Sequence, residues 1–141
     1  MQTGCQYIGK PQNVTTEPIQ GQSLRITVLA AYKAEDVWSP DSEIVKFVSP
    51  DGRVNIFVEI GESGYPNYEN KPSYFSEEIS IEGYDGSLIT FYNPDRDSLN
   101  HTAILRFLEY NWVRAWAYAE DGERLKEALA MMRTVRWKQD D

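Results

Sequence analysis

From residue 23 onward apolar and polar positions alternate. Leu24, Ile26 and Val28 are separated by Arg25 and Thr27, the period of two that marks a strand. Ile44, Lys46 and Val48 alternate with Val45 and Phe47, and Val54, Ile56, Val58 and Ile60 alternate with Arg53, Asn55, Phe57 and Glu59. Between these two runs stands Ser49-Pro50-Asp51-Gly52. Proline presets φ and glycine accepts positive φ, so the segment predicts a β-hairpin. Ile79 and Ile81 begin a further strand, which Tyr84-Asp85-Gly86 turns back into 87–92. A loop at 93–98 follows. Residues 103–108 and 112–119 read as strands joined by a tight turn at 109–111.

The period then changes from two to about 3.6. Leu125, Ala128, Leu129, Met132 and Val135 share one face of a predicted helix over 122–135, with Arg124, Lys126, Glu127 and Arg133 on its other faces. Asp121 is a suitable N-cap, and Glu123 lies at the positive end of the helix dipole. The expected fold is α+β: a central antiparallel β-sheet with a long C-terminal helix packed on one face. Residues 61–76, polar and aromatic with Pro66 and Pro72, read as a long loop with room for one short helix. Trp112 and Trp116 share a face of their strand and read as core, as do Met131 and Met132.

Residues 6–22 break the periodicity. They are polar, carry Gly9, Pro11, Pro18 and Gly21, and have linker composition. The expected organisation is a flexible tail over 1–22 followed by a single domain over 23–141, the tail being dispensable for folding. At 141 residues the chain is long enough to bury a core without disulfides or metal.

The order of elements resembles the PsbP-like family, named for an extrinsic subunit of photosystem II and shared by bacterial lipoproteins. The residues that carry the resemblance are Leu24-Arg25-Ile26-Thr27-Val28, then Phe47-Val48-Ser49-Pro50-Asp51-Gly52, then the strand at 113–119 with the helix ending Met132-Arg133-Thr134-Val135. The resemblance spans about 23–137. It implies an antiparallel sheet flanked by helices and a non-catalytic style of function, and it assigns no ligand.

Charge narrows the partners. With 14 basic and 22 acidic residues the formal charge is −8, and the basic residues are scattered. A phosphate backbone would be repelled by most of such a surface, so no nucleic-acid partner is expected. No run approaches the roughly 20 apolar residues that span a bilayer. The single cysteine, Cys5, rules out an internal disulfide and a Cys-based zinc site. Thr3-Gly4-Cys5 resembles the end of the box that precedes the lipid-bearing cysteine of bacterial lipoproteins, with Gln2 where that box has Leu. Lipid attachment at Cys5, with the polar tail as tether, implies an extracytoplasmic, membrane-anchored protein. The alternative is a free thiol on a cytoplasmic one.

Little points to catalysis. The sequence has no Gly-x-Ser-x-Gly turn, no dinucleotide-binding loop and no P-loop, and no cofactor is expected. The only histidine, His101, reads as a partly exposed strand-edge residue. Asn93, Asp95 and Asp97 imitate the first ligands of a calcium loop, but Ser98 and Ile104 stand where that loop needs Gly and Glu, so no metal is expected. Glu77/Glu78 and Asp95/Asp97 are carboxylate pairs of the kind a glycosidase uses. On a chain with 22 acids, solvated surface is the better explanation for any such pair. The segment from Tyr65 to Phe75 is the most distinctive surface candidate, because tyrosine combines contact area with a polar tip. Tyr65, Tyr68, Tyr74 and Phe75 are therefore the expected binding residues, with a lid over the sheet as the other reading. The expected function is a non-catalytic binding or assembly protein with a protein partner. The alternative is a small hydrolase using a carboxylate pair.

Overall fold

The structure, a computed structural model, describes residues 12–15, 22–38, 42–61, 71–107 and 113–139. Among them the chain forms strands β1 (Gln12–Thr15), β2 (Gln22–Val28), β3 (Lys33–Val37), β4 (Ser42–Val48), β5 (Val54–Gly61), β6 (Phe75–Ile81), β7 (Tyr84–Tyr92), β8 (His101–Phe107) and β9 (Val113–Ala119), then helix α1 (Gly122–Met132) and strand β10 (Arg136–Gln139). Seven strands make an antiparallel sheet in the order β3-β4-β5-β9-β8-β7-β6, and β1-β2-β10 make a second, smaller one. The expected architecture holds at this level: an antiparallel sheet with one C-terminal helix on a face, in which the sheet is much the larger part. No described helix is long and apolar enough to cross a membrane.

The β4–β5 hairpin forms where proline and glycine predict it. Gly52 adopts φ 75°. The buried Ser49 hydroxyl accepts hydrogen bonds from the backbone N–H groups of Arg53 (3.1 Å) and Val54 (3.0 Å) and donates to Asp51 (2.8 Å), so the turn satisfies its own polar groups. The β6–β7 turn differs from expectation. It is made by Glu82 and Gly83, with φ 52° and 84°, the two-residue geometry whose twist matches the flanking strands. Gly86 is instead a strand residue. A Cβ there would lie 2.4 Å from the Arg106 carbonyl oxygen, so glycine is needed for the close approach of β8.

Three further expectations are corrected. Gln12–Thr15, placed in the flexible tail, is strand β1, paired from Gln12 opposite Val28 to Thr15 opposite Arg25, and Gln22 already belongs to β2. Backbone pairing needs no apolar side chains, so Gln-Asn-Val-Thr carries no periodic signal. The other tail residues, Cys5 among them, lie outside the described residues. At the C-terminal end the helix stops at Met132 rather than 135. The Thr134 hydroxyl donates to the Met131 carbonyl (2.6 Å), with the Thr27 carbonyl as a longer alternative acceptor (3.2 Å), and accepts from the Thr27 N–H (2.8 Å), which ties the helix end to β2. Residues 136–139, read in part as a polar tail, then pair with β2. The short helix expected within 61–76 falls on a segment of which 62–70 lie outside the described residues; of the rest, Gly61 ends β5, and 71–76 form a turn and the start of β6.

Packing on the helix side is explained by side-chain size. Beneath the helix, β9 presents Ala115, Ala117 and Ala119, and β8 presents Ala103, all buried. These small residues let Leu125, Ala128, Met131 and Met132 come down between the larger Ile56, Val58, Ile60, Leu105 and Phe107. The opposite face has its own cluster of Ile89, Phe91, Ile104 and Trp116, with Phe57 and Tyr118 packed against it. The Phe57 and Trp116 rings stack at 5.2 Å. That face also holds Glu59, fully buried, 3.5 Å from Arg114 on the next strand.

Candidate functional site

The strand registers show where the core runs out. One helix-side row crosses the sheet as Phe47, Ile56, Ala117, Ala103, Thr90 and Phe75. The neighbouring row is Val54, Ala119, His101 and Tyr92. Helix α1 lies over β5, β8 and β9. The first members of both rows are therefore buried, and the last emerge at the corner formed by the start of β6, the end of β7 and the start of β8. There Phe75 is 61% exposed, Tyr92 37%, and Tyr74, just before β6, 50%. The His101 ring meets Tyr92 edge to face at 5.2 Å. His101 Nδ1 is buried and has no hydrogen-bond partner among the described residues.

The chain around this corner is held by hydrogen bonds. Tyr92 N–H donates to the Pro72 carbonyl (2.8 Å), which prolongs the β6–β7 ladder past Phe75. Ser73 between them has φ 58°, and Leu99 at the other side of the corner has φ 51°, the left-handed region that non-glycine residues seldom occupy. Such backbone persists only where the surroundings fix it, and it gathers at functional sites. In the loop from Asn93 to Asn100, the Asn100 side chain donates to the carbonyls of Asn93 (2.8 Å) and Arg96 (2.6 Å). Asn93 Oδ1 accepts from the Asp95 N–H (3.1 Å). Arg96 Nε reaches the carbonyls of Ser98 (3.3 Å) and Leu99 (3.2 Å), and its guanidinium lies 3.5 Å from the centre of the Tyr118 ring. Burial raises the Tyr118 pKa, against the opposing pull of the Arg96 charge. Lys71 bridges to Asp95 at 2.7 Å, joining the two segments that flank the corner.

Charges at the same end fasten the helix start. Arg124 Nη1 donates to Asp51 Oδ2 at 2.5 Å, and its backbone N–H is capped by Asp121 Oδ1 at 2.8 Å. The Arg124 hydrogen bond holds the Asp51 carboxyl well below the usual carboxylate range, with help from Ser49 and the Arg53 N–H and against partial burial. On β6, two residues past Phe75, Glu77 accepts from Arg133 (2.8 Å), which likewise lowers its pKa.

Of the expected binding residues, Tyr74 and Phe75 stand at the corner; Tyr65 and Tyr68 lie outside the described residues. Tyr92 was not anticipated. The turn lies at Glu82-Gly83 rather than at the expected Tyr84-Asp85-Gly86, which sets Phe75 opposite Thr90 and brings Tyr92 beside it on one face. His101 is partly exposed, as expected, but on an interior strand. The carboxylate pairs do not converge. Glu77 and Glu78 are consecutive strand residues on opposite faces, Glu77 bound to Arg133; Asp95 is bound to Lys71. Among the described residues no group of three or more His, Cys, Asp or Glu is placed to hold a metal ion. Trp116 is buried, as its alternation predicted, and Trp112 lies outside the described residues.

Comparison with protein-family models, with curated proteins and with solved structures yields no match.

Proposed function

We propose that this domain is a non-catalytic binding or assembly protein that docks a protein partner on the corner formed by Tyr74, Phe75 and Tyr92. The observation that carries the proposal is the exposure of three large aromatic side chains at one corner of the sheet. Aromatic rings exposed together on a hydrogen-bonded frame lose little conformational entropy on binding and supply most of an interface's contact energy. Lys71, Asp95 and the other polar groups of the 93–100 loop form a rim beside them. The PsbP-like resemblance implies the same style of function. The proposal includes an extracytoplasmic setting with lipid attachment at Cys5, which rests on Thr3-Gly4-Cys5 and is tested separately by labelling cells with a fatty-acid analogue: label on the wild type but not on C5A supports it, and no label on the wild type contradicts it.

The docking surface is tested by affinity capture from a membrane extract with the wild type and an F75S/Y92S variant. Capture of a defined partner by the wild type, lost in the variant while its unfolding curve is unchanged, is the expected result. Equal capture by both overturns the proposal.

A further inference from the structure

The opposite edge of the large sheet carries an independent inference. Strand β3 is its outermost strand, and among the described residues nothing pairs with its free side. Lys33, Ala34, Glu35 and Asp36 are all exposed. Directly after the strand stands Trp38, 85% exposed, the most exposed large apolar side chain among the described residues. An open edge offers a row of backbone N–H and C=O groups to another strand, and a Trp at its end adds the residue type most enriched at interface centres.

We propose that β3 pairs antiparallel with β3 of a second copy of this chain, across a two-fold axis at Ala34. The register follows from charge, because Ala34 is the one axis position within β3 that sets opposite charges of the two copies against each other; an axis at Val37 costs no like-charge pair but gains no opposite-charge pair within the strand. A two-fold axis perpendicular to the sheet keeps each copy's faces aligned, so it must pass through a residue position and set that residue against itself. An axis at Lys33 sets lysine against lysine; at Glu35, glutamate against glutamate; at Asp36, aspartate against aspartate. Each costs a like-charge pair. An axis at Ala34 sets a small side chain against itself and places Lys33 of each copy opposite Glu35 of the other, giving two opposite-charge pairs. Both residues lie on the same sheet face as Lys46, which is paired with Glu35 inside each chain, so every Glu35 has a cation on either side. The same register carries each Trp38 alongside the 29–32 turn of the other copy, where Ala30 is exposed. The two large sheets then continue as one.

Sedimentation equilibrium of the full chain between about 10 μM and about 1 mM tests this. A monomer–dimer equilibrium is expected. K33E and E35K each turn both opposite-charge pairs into like-charge pairs and should each raise the dissociation constant about tenfold or more. An equimolar mixture of the K33E and E35K chains restores two opposite-charge pairs between unlike chains and should associate again. The sites are exposed, so the unfolding curves of the variants serve as the folding control. A chain that stays monomeric over the range overturns the proposal, including one whose β3 edge is found paired with a segment of a different protein. So does a dimer indifferent to both substitutions, or a mixture no more associated than its components.

Discussion

Aromatic residues meet two fates on this sheet. On the face away from the helix, Phe57 and Trp116 stack in a row that runs Lys46, Phe57, Trp116, Ile104 and Ile89, and only 7% of Trp116 is exposed. On the helix side, the row that begins at the buried Phe47 ends at Phe75 in solvent. Residue type is the same; position in the row differs. An eleven-residue helix is about 16 Å long and some 10 Å across, so it covers about two or three strands of a sheet whose strands are about 4.8 Å apart. The helix therefore leaves the β6–β7 side of the sheet to other packing: Ile81 and Leu88 of those two strands are still buried, whereas Phe75 and Tyr92 at the corner are not, and an aromatic residue there is a surface feature rather than a failure of packing.

The comparison is broken most severely by emptying the buried row. Trp116→Ala should destabilise the domain by about 3–5 kcal/mol in denaturant unfolding, the range for a large buried aromatic. A loss below about 1 kcal/mol would mean that the row is not a core. Met132→Ala, beneath the helix, should cost about 2–5 kcal/mol, and the half-buried Leu129→Ala less.

A smaller effect is expected from Gly86→Ala. The added methyl must displace the Arg106 carbonyl, which should cost about 1–3 kcal/mol and disturb the β7–β8 register that sets Tyr92 beside His101. Amide exchange should accelerate along β7 and β8; unchanged exchange would show that the strands absorb the methyl without shifting.

The Asp51–Arg124 bridge pins the helix start to the β4–β5 turn, over the buried rows and away from the corner. Folding lowers the Asp51 pKa, so the bridge stabilises the fold fully above the ordinary carboxylate range near pH 4, and the contribution is lost as pH falls below it. Asp51→Asn should remove about 0.5–1 kcal/mol at neutral pH, discounted for the exposure of the carboxylate, and flatten the acid limb of stability against pH. An acid limb identical to that of the wild type would contradict this.

How much of this was legible depended on which signal each element uses. The β4–β5 hairpin and the amphipathic helix announce themselves through Pro50, Gly52 and the spacing of Leu125, Ala128 and Met132. Strands β1, β3 and β10 do not. Lys-Ala-Glu-Asp-Val has no buried face to alternate, Gln-Asn-Val-Thr has no apolar period in its sequence, and both are strands because a neighbour offers backbone partners. The corner was half legible. Tyr74 and Phe75 stood out by composition, but Tyr92 joins them only through a register fixed by the positive φ of Glu82, a residue that does not advertise a turn.

The smallest effect on stability is expected at the corner itself. F75S/Y92S should change the unfolding free energy by no more than about 0.5 kcal/mol, as for exposed sites generally. A loss near that of Trp116→Ala would make these rings a lid rather than a docking surface.

The most direct measurement replaces Phe75 with a photoreactive phenylalanine analogue and, in a second protein, places the same analogue at the exposed Glu123 on the first turn of the helix. After irradiation in the native membrane extract, a discrete cross-linked species from position 75 and none from position 123 is the predicted result. Cross-linking of equal yield at both positions, or none at position 75, would contradict the assignment of the aromatic corner as the docking surface.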